Sequence, residues 1–168
     1  MQIYTIIATW FGCGNTIKAP GTVASFSTIL LFPITTFNNL FGILLIILVF
    51  TIGLLAIPRY LLDHPNVSDP KEVVVDEIIG QLIAFTLPII FFRHHQYIPQ
   101  TFDISYTLCY TKIFIISFIF FRAFDITKVW PINIIEEIPG ALGIILDDII
   151  AGIMSSICTI FIIANIGT

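Results

Sequence analysis

Charge is scarce in this chain. Only 11% of its residues are Asp, Glu, Lys or Arg, against about 25% in an ordinary soluble domain. With 57% of the residues hydrophobic, that shortage excludes a water-soluble globular fold and points to a polytopic membrane protein. The few charges lean negative, 11 acids against 7 bases for a net charge of -4, so the basic footprint of a nucleic-acid-binding protein is missing and nucleic acid is excluded as a partner. Cysteine is nearly absent too. Cys13, Cys109 and Cys158 are odd in number, far apart and without metal-ligand spacing, which excludes a disulfide framework and reads as inert thiols. The opening "MQIYTIIATWFGCGN" has no basic n-region and no small-residue cleavage site, so it does not read as a cleaved signal peptide. No G-x-S-x-G, P-loop or C-x-x-C motif occurs, which removes the common serine-nucleophile, nucleotide and dithiol chemistries.

What the chain has is apolar segments. The expectation is an all-α membrane bundle of about five segments in a single domain, 1–168, since no linker or shift of composition divides it. A glycine-punctuated stretch, "FGCGNTIKAPGTVAS", reads as a loop with special backbone angles. Val23 to Thr36 follows, shorter than the ~20 residues of a perpendicular span. Leu40 to Ile57 is the clearest span, expected to stop at Pro58 and Arg59. After the polar "RYLLDHPNVSDPKE", Val73 to Phe92 reaches spanning length only if it includes Asp76 and Glu77. Ile104 to Phe124 and Gly140 to Ile166 are the remaining spans, separated by a loop with Lys128, Trp130, Glu136 and Glu137.

Alternating these segments across a bilayer gives a test of sidedness. All the acidic motifs then fall at one face, with the "KAPGT" loop, Lys18, Arg59, Lys71, Arg122 and Lys128. The opposite face receives Asp103, Arg93, His94 and His95, and its histidines read as loop residues rather than ligands. By the excess of Lys and Arg in short loops, the acidic face is expected to be cytoplasmic.

An ionised side chain in an apolar span costs several kcal/mol on the lower published values, about 2.5–3.5. Asp147 and Asp148 in "GALGIILDDIIAG" and Asp76 and Glu77 in "VVVDEIIGQLIAF" therefore need compensation, as does Asp125 at the end of its run. Carboxylates gathered at one point repel unless they share a proton or a cation, and all-oxygen ligation suits a hard ion such as Mg²⁺. Asp76 with Gly80, and Asp148 with Gly152, stand four apart on one helix face, and the small residue lets a neighbouring helix approach closely. Arg122 and Asp125, three apart, read equally as an intrahelical ion pair or as a phosphate clamp beside a metal. Lys18 with "APGT" reads as a turn presenting N–H groups to an anion, or as a plain helix start capped by Thr22 or Ser25.

In this order and spacing, "FGCGNTIKAPGTVAS", "VVDEIIGQ", "FRAFDITKVWPI" and "PGALGIILDDIIAG" resemble the phosphatidylglycerophosphatase A family, bacterial inner-membrane lipid phosphatases, from about Phe11 to Ile163. One departure is Ala24, where the family pattern has Gly. The resemblance implies Mg²⁺-dependent hydrolysis of the lipid phosphatidylglycerophosphate to phosphatidylglycerol and inorganic phosphate, at the cytoplasmic face of the inner membrane. Asp76, Glu77, Asp125, Asp147 and Asp148 are the expected catalytic residues, and Asp76, Glu77, Asp147 and Asp148 the expected Mg²⁺ ligands. Lys18, Gly21, Thr22, Arg122 and Lys128 are expected at the substrate phosphate. A cation transporter built on the same intramembrane carboxylates is the alternative reading.

Overall fold

The computed structural model describes residues 2–65, 67, 70–96, 98 and 104–166, without the side chain of Ile166. Asp103 lies outside the described residues. Eight α-helices occur among them in the order α1 (Ile3–Ala8), α2 (Pro20–Ser27), α3 (Phe32–Phe37), α4 (Asn39–Asp63), α5 (Val75–His94), α6 (Ile104–Thr127), α7 (Ile132–Ile135) and α8 (Ala141–Ile166). Four of these, α4, α5, α6 and α8, are long and apolar enough to cross a membrane, so the fold is an all-α membrane bundle.

The segment expected between Val23 and Thr36 is broken instead of continuous. α2 passes through a 3₁₀ turn, Thr28–Leu30, into α3, which has Pro33 in its first turn. Hydroxyls in this stretch bond back to nearby carbonyls, among them Ser27 to Ala24, Thr28 to Ser25 and Thr35 to Phe32, a local competition that disfavours a regular helix. Pro58 does not end α4, which runs on to Asp63; a proline costs a helix one backbone bond and a bend, and apolar packing on both sides carries the helix past it. Asn38 caps the start of α4 by accepting the Leu40 N–H at 3.0 Å.

α5 is the central helix. Val75, Ile78, Ile79, Leu82, Phe85 and Ile89 are fully enclosed, because α4, α6 and α8 pack around it. By contrast α4 exposes Leu40, Phe41, Ile43, Leu44, Ile47 and Leu48, a face suited to lipid. The crossing of α5 over α8 is set by two glycines. A Cβ placed on Gly80 would meet the Phe121 ring and the Asp148 carbonyl oxygen, the latter at 2.6 Å, and one on Gly152 would run into the Gly80 carbonyl. Ser155 on α8 ties α6 in by donating to the Ser117 carbonyl at 2.8 Å.

Both ends of α5 are anchored. At its start, the Val74 N–H donates to the Ala8 carbonyl of α1 at 2.9 Å. The glycine loop packs here with Gly12 at φ +91, and Gly14 is so close to Glu72 that a side chain would overlap the Glu72 carbonyl. At the other end, Arg93 donates to Asn39, to the Thr36 carbonyl at 2.6 Å and to the Tyr110 hydroxyl at 2.8 Å. Arg93, His94 and His95 thus sit beside the α3–α4 turn, at the opposite end of the bundle from Asp76 and Glu77, as the alternation of segments predicts.

Candidate active site

Three helix starts and one helix end meet at the acidic face. Asp76 and Glu77 come from the first turn of α5, Asp125 from the last turn of α6, Asp147 and Asp148 from the second and third turns of α8, and Gly21 from the first turn of α2. They line a cavity of about 820 Å³ together with Arg122, Lys128, Lys71, Glu136, Glu137 and the 138–140 segment. The close α5–α8 approach at Gly80 and Gly152 is what brings the two acidic motifs together.

Within the cavity the acids divide into two sets. Asp76, Glu77 and Asp148 each offer an oxygen, and these oxygens lie within 4.8 Å of one another. Asp148 is 2% exposed and Asp76 6%. Glu77 Oε2 and Asp148 Oδ1 are enclosed atoms that accept no hydrogen bond. Asp125 and Asp147 instead face cations. Asp125 is ion-paired with Arg122 and lies 3.5 Å from Lys128 Nζ, while Lys128 pairs closely with Asp147. Asp147 Oδ1 also accepts the Asp148 N–H at 2.8 Å. Of the four expected metal ligands, three converge and Asp147 is occupied by Lys128.

The cations are held at the cavity wall by the second set of acids. Arg122 forms the ion pair that the spacing of three suggests, and also lines the cavity beside Gly21, whose missing side chain leaves room for Glu77 and the guanidinium. Its other hydrogen bond goes to Ser25 Oγ at 3.4 Å, and Ser25 in turn donates to the Gly21 carbonyl at 2.7 Å. Burial works against the Lys128 ammonium, but the carboxylates of Asp148, Asp147 and Asp125 outweigh it and hold its pKa above the ordinary lysine value. Lys128 also has φ 44 and Ala19 φ 48, sparsely populated backbone of the kind that collects at functional sites.

The "KAPGT" turn contributes less than expected. Ala19, Pro20 and Gly21 line the cavity, whereas Lys18, exposed on the preceding loop, and Thr22, half-buried on α2, do not. No side chain caps α2: Pro20 occupies its first position, and Ser25 bonds back to Gly21 instead of to the helix start. Lys71, Glu136 and Glu137 escaped the sequence reading of the site. Their only signal was location, since all three are charged loop residues on the acidic side of the alternation. Cys13, Cys109 and Cys158 are free thiols, partly buried.

This arrangement sets three convergent carboxylate oxygens, a donor set that could hold a cation, beside the Arg122 and Lys128 side chains. Over residues 6–163 the chain matches the family described as phosphatidylglycerophosphatase A. It is 30% identical to a Bacteroides thetaiotaomicron protein provisionally described as a phosphatidylinositol-3-phosphatase, covering 90% of this chain and 88% of that one. It is also 29% identical to phosphatidylglycerophosphatase A of Escherichia coli, covering 90% and 78%. No solved structure matches it significantly. With a family match that spans all four motifs and every acid of the cavity, this chain belongs to the phosphatidylglycerophosphatase A family.

Proposed function

We propose that the protein is a Mg²⁺-dependent phosphatase that removes the terminal phosphate of phosphatidylglycerophosphate at the cytoplasmic face of a bacterial inner membrane. The observation that carries this reading is the convergence of Asp76, Glu77 and Asp148 beside Arg122 and Lys128 in one cavity. Family membership and the E. coli relative support the substrate.

The donor set fits a divalent ion. Three carboxylates within 4.8 Å form an all-oxygen site, and Mg²⁺ favours a few carboxylates while retaining waters. Asp148 Oδ1, enclosed and accepting no hydrogen bond, is an acceptor that such an ion would satisfy. Bound there, the ion would supply Lewis-acid charge at the phosphoryl oxygens.

The remaining chemistry belongs to the chain. Arg122 presents a planar fork that matches two phosphate oxygens, and Asp125 fixes its orientation through their ion pair. Asp147 and Asp125 hold Lys128 at the cavity wall, where its ammonium neutralises charge on the monoester. Uncatalysed hydrolysis of phosphate monoesters is among the slowest biological reactions, so fixed positive charge at the phosphoryl group is where the rate must come from. The cavity opens at the end of the bundle, which leaves the acyl chains in lipid. A transporter would place its carboxylates near mid-bilayer, reachable from both faces; here they gather at one end, and the far end of α5 carries the Arg93 cluster.

The test is phosphate release from phosphatidylglycerophosphate in mixed micelles by purified protein, with Mg²⁺ and with EDTA. Release that requires the metal and exceeds release from phosphatidylinositol 3-phosphate is the expected result. Faster release from the inositol lipid would transfer the assignment to the chemistry named for the Bacteroides relative. Folded protein that releases nothing in Mg²⁺ would remove the enzyme reading.

A further inference from the structure

One turn deeper than Glu77, α5 carries a second polar side chain that the mechanism above does not use. Gln81 is 0% exposed, and neither Nε2 nor Oε1 of its carboxamide has a hydrogen-bond partner. A buried amide without partners is expensive in apolar surroundings, and an apolar residue of the same shape would avoid the cost. Its presence at the centre of the bundle calls for a compensating role. Gln81 follows Glu77 by four residues, so the two share a face of α5 about 6 Å apart along its axis. Glu77 Oε2 is an enclosed acceptor with nothing bonded to it. The helix therefore sets an unused donor directly beneath an unused acceptor.

Glu77 has competing attractions. It lies against Gly21 near the Arg122 guanidinium, yet it also belongs to the trio with Asp76 and Asp148. A carboxylate free to swing toward the arginine serves a cation poorly. We propose that Gln81 is a positioning residue: its Nε2–H donates to Glu77 Oε2 when the divalent ion binds, holding the other oxygen toward Asp76 and Asp148. This rests on the reading that the trio holds a divalent ion, and it assigns to Gln81 the outer-shell support that metal-ligating carboxylates commonly need.

The experiment uses full-length protein in detergent, with Mn²⁺ as the probe, read by electron paramagnetic resonance. Gln81→Met keeps the volume and removes both polar groups. We expect it to melt, without metal, at or above the wild-type temperature, yet to bind Mn²⁺ about tenfold more weakly. Its kcat falls in parallel while KM for the lipid stays unchanged. Mn²⁺ binding by Gln81→Met within about twofold of wild type, well short of the outer-shell effect, overturns the proposal. A melting temperature well below wild type for Gln81→Met also overturns it, because the amide would then be holding the fold. Wild-type protein that binds no Mn²⁺ would instead remove the metal reading itself, independently of Gln81.

Discussion

Asp148 is the residue on which the site turns. It is the most enclosed member of the trio, and its backbone carbonyl sits against Gly80, so it has no freedom to be replaced by a neighbour. Asp148→Asn should lower turnover by about 10²–10³-fold, the scale on which one fixed electrostatic contact acts, with Asp76→Asn similar. Neither should unfold the protein, since removing an ionised group from an apolar segment relieves a cost. Phosphate release at saturating Mg²⁺ and a thermal melt check both halves. Asp147 was indistinguishable from Asp148 in sequence, because adjacent acids on a helix differ only in direction and direction is set by the packing partner. Here the partner is Lys128, which comes from the loop after α6. A double-mutant cycle on Asp147→Asn and Lys128→Met separates the roles. If Asp147 acts only by holding Lys128, the double variant loses no more kcat than Lys128→Met alone, whereas additive losses would return Asp147 to the metal set.

The elements were legible where a single pattern controls them. An acid four residues before a glycine, once on α5 and once on α8, correctly marked two helices that cross closely at the site. Helix limits were less legible, for reasons that are local and competing: hydroxyl bonds and Pro33 break the stretch between α2 and α3, while α4 passes Pro58 because its packing outweighs one lost backbone bond. The loop charges Lys71, Glu136 and Glu137 reach the cavity through chain reversals that no periodicity encodes. The crossing itself is testable. Gly80→Ala places a methyl group against the Phe121 ring and the Asp148 carbonyl, so α5 and α8 must separate. A destabilisation of about 1–3 kcal/mol is expected from such overpacking, together with weaker divalent-ion binding as Asp76 and Glu77 move away from Asp148. Gly53→Ala on α4 is the control. Its nearest neighbour is the flexible tip of Ile79 at 3.3 Å, so ion binding should be unchanged there.

At the scale of the whole molecule, the bundle is polarised along its length. One end gathers seven acids with Arg122, Lys128 and Lys71 around a cavity, and the other closes on Arg93, which is bonded to Asn39, Thr36 and Tyr110. Orientation in a membrane follows from loop bases more than from acids. Lys18, Arg59, Lys71 and Lys128 lie toward the cavity end, so that end should be retained in the cytoplasm. Lys71 and His94 flank α5 and report its two ends directly. In a background with Cys13, Cys109 and Cys158 changed to Ser, His94→Cys should react with a membrane-impermeant maleimide in intact spheroplasts. Lys71→Cys should react only after permeabilisation. The reversed pattern would put the cavity outside the cell and end the cytoplasmic assignment. Labelling of both from one side would mean that α5 does not cross the bilayer, and the carboxylates at its start would then need no metal to explain their depth.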